Sequence, residues 1–283
     1  MSSKILVTGA TGKVGSEIVR QLVAKGVPVR AGVHHPEKVN QRGWEGAEVV
    51  AFDYSDPAKI TAALEGIDKV FLMSPPSGDV YVLEKAFIDQ AKEAGVNHIV
   101  KLSASLAGLD ENSSLRKAEK LVEDSGVAYT HLRPSWFAQN FITGLVQDIR
   151  AGELAIPTGD GKVGYIDTRD IAAVAVAAFT EEGHTGKAYI LTGPEAIDHA
   201  QAVEFISKAT EKTVKYNPIS EEQFRAKCAA QQWPEPVTDF MITLYGLIRN
   251  GYAAGVTNTV AEVLGRPPVS FGQFAKDYAA VWQ

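Results

Sequence analysis

Cysteine is almost missing from this chain. Cys228 stands alone among 283 residues, so no internal disulfide can form. It lies in a helical-looking stretch beside Lys227, where a small packed side chain is expected and not a reactive thiol. Apart from the His34 and His35 pair, the histidines (His98, His131, His184, His199) are scattered, and no Cys or His spacing matches a ligand set. No metal is therefore expected. Long apolar runs are missing too. The longest, Ile171 to Phe179, is too short to span a bilayer. No charged-then-apolar leader precedes the first apolar run, so a cytoplasmic location away from membranes is expected. There is no basic stripe or tail. Net charge is −6, with Lys and Arg interspersed among acids, which argues against a nucleic-acid partner. Repeats, low-complexity tracts and obvious linkers are absent.

What is present is an ordinary globular composition, 45% hydrophobic and 22% charged. The chain is long enough to bury about three quarters of its unfolded surface. Its most informative stretch comes at the start. Ile5, Leu6 and Val7 read as a buried strand that runs into Gly9, Gly12 and Gly15. Val14, Ile18, Val19, Leu22 and Val23 then recur at helical spacing until Gly26. Strand, glycine turn and helix is the context in which such glycines bind a dinucleotide. One glycine makes the tight turn, one admits the pyrophosphate, and one lets helix and strand pack closely. The helix N-terminus offers N–H groups and a positive dipole end to phosphate.

Strands and helices alternate from there. Strands are expected over 27–33, 47–52, 69–73, 98–103 and 128–132, with helices ending near Leu64, Ala94 and Asp124. The alternation predicts an α/β fold, a Rossmann-type doubly wound parallel sheet with helices on both faces. Past Pro134 the pattern loosens. Helices are expected over 142–151, 170–181, 198–209, 220–231, 235–250 and 271–282, and a late strand over 189–192. Ser220 and Gln223 fit a capping box. The expected organisation is a nucleotide-binding core over 1–155. A mixed region over 156–283 would complete the sheet and form a mostly helical lobe roofing a cleft. The ligand belongs at the carboxyl ends of the strands.

The end of the second strand selects the nucleotide. A carboxylate there suits NAD, and a basic group suits the 2′-phosphate of NADP. Here His34 and His35 follow Val33, with Lys38 a turn further on and no acid at the strand end. Arg30 lies inside the strand and is expected to point elsewhere. NADP(H) is favoured over NAD(H), although neutral imidazole is a weaker phosphate partner than guanidinium. The cofactor-binding set comprises Gly9, Thr11, Gly12, Lys13, Val14, His34, His35, Lys38, Asp53, Tyr54, Met73, Ser74, Pro75 and Ser103. Asp53 either accepts from the adenine amino group or supports its own turn. Met73, Ser74 and Pro75 would run beside the cofactor.

Taken together, these residues resemble the NmrA-like, atypical branch of the short-chain dehydrogenase/reductase superfamily. The motif from Thr8 to Gly15 looks like that branch's glycine motif. The stretch from Ser125 to Pro134, followed by Trp136, Phe137 and Asn140, is similar to its segment after the sixth strand. Ile166 to Ala172 and Tyr189 to Pro194 resemble its late strand–helix turn and last strand. Within the branch the similarity is to NADPH-dependent quinone, azo-dye and triphenylmethane-dye reductases, then to ergot-alkaloid reductases. The resemblance implies a reductase that delivers hydride from NAD(P)H to a planar conjugated acceptor, acting on a small molecule as monomer or homodimer. The same branch contains NmrA-type proteins that bind the dinucleotide as redox sensors, and that is the alternative. A proton-transferring isomerase or dehydratase is a third reading.

Most of the superfamily uses a Tyr-x-x-x-Lys pair on the helix after the fifth strand for general acid–base catalysis. Here that helix has no tyrosine. Leu115 stands where relatives carry Lys or His, and Lys117 falls on another face. Tyr81 and Lys85 fit the string one crossover too early and are read as accidental. This absence weakens a carbonyl-reductase reading more than a reductase reading, because hydride chemistry belongs to the cofactor. Ser103 and Ser105 either hold a substrate polar atom or bond the local turn. Asn140 is a further weak candidate for orienting substrate or nicotinamide. Trp136, Phe137, Phe141 and Tyr165 either stack on a planar acceptor or pack the lobe.

Overall fold

Short apolar strands alternating with helices that stop at glycine assemble into a parallel sheet. The computed structural model describes residues 3–39, 44–74, 80–108 and 110–283. In chain order the elements are β1 (Ile5–Val7), α1 (Lys13–Ala24), β2 (Val29–Val33), β3 (Glu48–Ala51), α2 (Pro57–Leu64), β4 (Lys69–Leu72), α3 (Val80–Glu93), β5 (His98–Leu102), α4 (Ser114–Asp124), β6 (Ala128–Pro134), α5 (Val146–Arg150), β7 (Glu153–Ile156), α6 (Thr168–Thr180), β8 (Lys187–Leu191), α7 (His199–Thr210), β9 (Lys215–Pro218), α8 (Glu221–Ala230), α9 (Glu235–Arg249), α10 (Thr259–Leu264) and α11 (Phe271–Asp277). Among the described residues no helix is long and apolar enough to cross a membrane.

The first compact unit comprises Met1–Pro134 and Thr168–Leu191. Its seven strands lie in the order β3-β2-β1-β4-β5-β6-β8, and every pairing is parallel. This is the expected Rossmann-type α/β sheet. The order reverses beside β1, which puts the switch point next to the glycine turn. Ile5, Leu6 and Val7 have no exposed surface. Strands covered by helices on both faces read as continuous apolar runs for that reason. α1 buries Val14, Ile18, Val19 and Leu22, and Gln21 ties it to the start of α6 through the Arg169 carbonyl at 3.1 Å. α2 starts where Asp56 accepts from the Ala58 and Lys59 N–H groups, with Pro57 in the first turn.

The second unit comprises Ser135–Asp167 and Thr192–Gln283. Its core gathers Phe141, Tyr165, Ile206, Phe271, Phe274 and Trp282. The expected Ser220–Gln223 capping box forms, and a second joins Asp198 to Gln201. Other expectations for this unit needed correction. The helix expected over 142–151 is a short 3₁₀ turn, Ala138–Ile142, followed by α5 alone. Thr143 leaves the helical region at φ −130° and ψ −89°, and Gly144 follows. β7 and β9, a parallel pair, and α10 were not foreseen. The last helix stops at Asp277 before a 3₁₀ turn, Ala279–Trp282.

Three histidines are built into these interiors in neutral form. Burial pushes the pKa of His98 and His131 down to about 4 and that of His199 to about 3. For His131 the neighbouring Glu119 and Glu123 oppose that shift without cancelling it. The unfolded chain binds these protons below pH ~6.5, whereas the folded chain does not. Their stabilisation is therefore complete above pH ~6.5 and falls as the pH drops toward about 4. Each histidine loses roughly 1.4 kcal/mol per pH unit in that window. Thermal unfolding at pH 7 and pH 5 should differ by an amount on the order of several kcal/mol. Equal stability at the two values would show that the imidazoles are solvated.

Candidate functional site

The turn after β1 is fixed before any ligand arrives. Thr8 is fully buried, and its hydroxyl donates to the Phe71 carbonyl at 2.9 Å while accepting from the Met73 N–H at 2.9 Å. Gly9 then takes φ +58°, the left-handed region where a side chain is strained. The Gly12 N–H donates to the Gly9 carbonyl at 2.9 Å. A Cβ on Gly15 would sit 2.3 Å from the Gly9 oxygen, so α1 can lie this close to the turn only without a side chain there. Gly12 is the N-cap of α1. No side chain caps the first turn, and the turn carries no acid. Thr11 and Lys13 are exposed beside it and Val14 is buried. A turn shaped in this way accepts a pyrophosphate at the helix N-terminus. Met73 lies over it, for a Cβ on Gly9 would come 2.2 Å from the Met73 Cε.

At the end of β2, His34 and His35 are both exposed, as is Lys38. His34 Nδ1 is 3.8 Å from an Asp53 oxygen, and His35 Nδ1 is 3.2 Å from Glu37. Asp53 serves its own turn, accepting from the Ser55 hydroxyl at 2.6 Å and the Ser55 N–H at 2.9 Å. Those two contacts, the hydroxyl foremost, hold its carboxyl below the usual range. Arg30 points elsewhere, as expected. It donates to the Ala63 and Glu65 carbonyls at 2.8 and 2.7 Å and pairs with Glu48. Tyr54 braces the frame. Its hydroxyl donates to the Met73 carbonyl at 3.0 Å and lies 3.1 Å from the Thr8 hydroxyl, and desolvation pushes its pKa far up. Pro75 lies outside the described residues.

At the ends of β4, β5 and β6 the structure adds a charged layer that was not read from the sequence. Lys101 on β5 donates to both oxygens of Glu84 on α3 at 2.6 Å, and both side chains are 2% exposed. Ser74 donates to the same carboxylate at 2.5 Å. Arg133 on β6 grips Glu119 on α4 at 2.9 and 2.6 Å. Burial works against ionising Glu119, but Arg133, Ser103 and His131 together outweigh it and keep the carboxyl below its usual range. Arg116 bridges Glu119 and Glu123, and Glu123 also meets His131 at 3.1 Å. Glu119, Glu123 and His131 place one ligand atom each within 4.8 Å of one another. Two guanidinium groups already neutralise these carboxylates, so the group is an ion-paired layer and offers a cation little. A charge inside the apolar strand from His98 to Leu102 was the available signal.

Ser103 follows that layer. Its hydroxyl is buried and makes no hydrogen bond of ordinary geometry, although it lies close enough to Glu119 to favour that carboxylate's charged form. A buried polar atom left in this state is costly, and a ligand can satisfy it. Ser105 is half-buried at the start of the 3₁₀ turn Ser105–Gly108. On α4, Leu115 and Lys117 face outward. Tyr81 is 43% exposed on α3, and Lys85 pairs with Asp89 at 2.7 Å. Among the described residues, no tyrosine takes the place of the usual acid on α4.

In the second unit the four aromatic candidates separate. Phe141 has no exposed surface and Tyr165 is 4% exposed. Phe141 packs edge-on against Phe271 and Tyr165, with centroids 4.9 and 5.3 Å away. Both rings pack within the second unit, one of the two roles their sequence left open. Tyr165 also starts a buried polar chain. It lies 2.9 Å from His199 Nε2, His199 Nδ1 lies 2.9 Å from Thr158, and Thr158 lies 2.8 Å from Tyr216, which donates to the Gly159 carbonyl. Every donor finds an acceptor when Tyr165 donates to Nε2 and Nδ1–H donates to Thr158. Trp136 and Phe137 are half-buried, and Trp136 stacks on Tyr245 with centroids 6.4 Å apart. Asn140 is half-buried in the turn Ala138–Ile142.

Comparisons with known proteins agree with this frame. The chain is 40% identical to an NAD(P)H azoreductase of Xenophilus azovorans over 98% of its own length and 99% of the relative's. The triphenylmethane reductase of Citrobacter sp., solved with NADP(H), superposes with a TM-score of 0.85 at 26% identity, covering 98% of this chain and 99% of that one. The NADPH-dependent quinone oxidoreductase of Escherichia coli, solved with NADPH, gives 0.85 at 29% identity over 96% and 99%. The sequence profile of the NmrA-like family matches residues 1–262. With the parallel sheet, the left-handed glycine turn and this full-length match in hand, the chain belongs to the NmrA-like family.

Proposed function

We propose that this chain is an NADPH-preferring reductase that delivers hydride to a planar conjugated acceptor such as a quinone, an azo dye or a triarylmethane dye. The observation that carries the reading is the cradle of Gly9, Gly12 and Gly15 at an uncapped helix N-terminus. The full-length likeness to an NAD(P)H azoreductase supports the acceptor class. When bound, NADPH supplies the hydride from its nicotinamide ring. The protein's share is position and electrostatics. Gly9, Thr11, Gly12, Lys13 and Val14 hold the pyrophosphate. His34, His35 and Lys38 meet the 2′-phosphate. Met73 and Ser74 flank the nucleotide, and the buried Ser103 hydroxyl, which makes no hydrogen bond of ordinary geometry in the fold, offers one to ligand. Trp136 and Phe137 keep the stacking role. An electron-poor acceptor needs no strong acid, so a tyrosine on α4 is not required.

Hydride delivery is tested with a cationic triarylmethane dye, whose central carbon keeps what it receives. Run with NADPH carrying deuterium at both hydrogen positions of nicotinamide C4, the reaction should give a product with non-exchangeable deuterium at that carbon. Product without the label would rule out direct transfer. Cofactor choice is tested at the end of β2. His34→Glu sets a second carboxylate beside Asp53, and the NADPH KM should rise roughly tenfold, the equivalent of ~1.4 kcal/mol of like-charge repulsion. The NADH KM should hold. Equal effects on the two cofactors would remove His34 from the phosphate site.

A further inference from the structure

The ion pair of Lys101 and Glu84 calls for an explanation. Two charges whose side chains are 2% exposed gain little over an apolar pair of the same volume, because desolvation offsets their attraction. The pair also sits at the functional edge of the sheet. Leu72, the last residue of β4, pairs in register with Lys101. Glu84 reaches from α3 to accept from Lys101 with both oxygens, and from Ser74 with one. Ser74 adjoins Met73, whose N–H is held by Thr8, whose carbonyl is held by Tyr54, and whose side chain covers Gly9. The Thr8 and Tyr54 contacts secure one side of this short stretch, and the carboxylate secures the other.

Building on the reductase reading, we infer that Glu84 and Lys101 are positioning residues for the cofactor, fixing Met73 and Ser74 against the glycine turn through the Ser74 hydrogen bond. Lys101 orients Glu84 by donating to both of its oxygens, and Glu84 holds Ser74. Neither side chain is exposed enough to meet substrate. The pair acts on the nucleotide common to NADPH and NADH, not on the 2′-phosphate.

The test uses the full chain and the double variant E84L/K101M, which removes both charges together and leaves no unpaired charge in the interior. NADPH and NADH are titrated into parent and variant, steady-state rates are measured with a quinone, and unfolding temperature is followed in parallel. The variant should stay folded and lose about tenfold in affinity for both cofactors, with their ratio unchanged. The loss should fall on KM for the cofactor and not on kcat. Ser74→Ala, a smaller change at a half-buried position, should reproduce the affinity loss with the unfolding temperature held. Parent-like affinity in either variant would overturn the inference and leave the pair a packing feature. A parent that binds neither cofactor would sink the functional reading itself, and the inference with it.

Discussion

Gly12→Val should abolish measurable NADPH binding while the protein stays folded. A Cβ at this position meets the Gly9 carbonyl at 3.1 Å and the flexible Met73 Cε at 3.4 Å, which small shifts can accommodate. The backbone there is extended, at φ −77°, so a side chain brings no left-handed strain. The valine branches would instead occupy the approach to the N-terminus of α1. Losing two hydrogen bonds to a charged pyrophosphate costs about 3–4 kcal/mol, roughly a hundredfold to a thousandfold in Kd. Fluorescence titration against NADPH, paired with circular dichroism, reads both halves of the expectation. Gly15→Val supplies the contrast. Its Cβ would meet backbone at 2.3 Å, and the fold itself should fail. Parent-like affinity in folded Gly12→Val would move the cofactor site elsewhere.

Lys101→Met should destabilise the protein by about 3–5 kcal/mol, because it strands the Glu84 carboxylate with the Ser74 hydroxyl as its remaining hydrogen-bond partner among the described residues. For a unit of this size that corresponds to a fall in unfolding temperature on the order of 10 °C. Adding Glu84→Leu should recover most of the loss, since an apolar pair of similar volume replaces the buried charges. Thermal denaturation of the single and double variants completes a cycle. A single variant within about 1 kcal/mol of the parent would mean that water reaches the pair.

The sheet was legible because most of its strands centre on a short apolar run, and because glycine stops helix after helix. α4 ends at Asp124, where its end is expected from Gly126 two residues on. The second unit was less legible. β9, with Lys215, Tyr216, Asn217 and Pro218, carries no alternating pattern, and pairing with β7 supplies what local sequence does not. Phe141 and Tyr165 were ambiguous for a physical reason. A ring stacking on a ligand and a ring packing on Phe271 have the same composition signature, and burial alone separates them. Arg30 was separable in advance, since it precedes the strand end. The Lys101–Glu84 and Arg133–Glu119 pairs were hidden because their partners lie on helices 17 and 14 residues away, and one sequence does not reveal the register between them. Asp53 was left between two roles, and its Ser55 contacts supply the turn role.

The most direct test of the account is oxidation of NADPH and NADH, side by side, against a small panel of quinones and azo dyes. The account predicts rapid protein-dependent turnover, faster at limiting NADPH than at the same NADH concentration. Tight cofactor binding with no turnover on any acceptor would contradict it and favour a dinucleotide sensor.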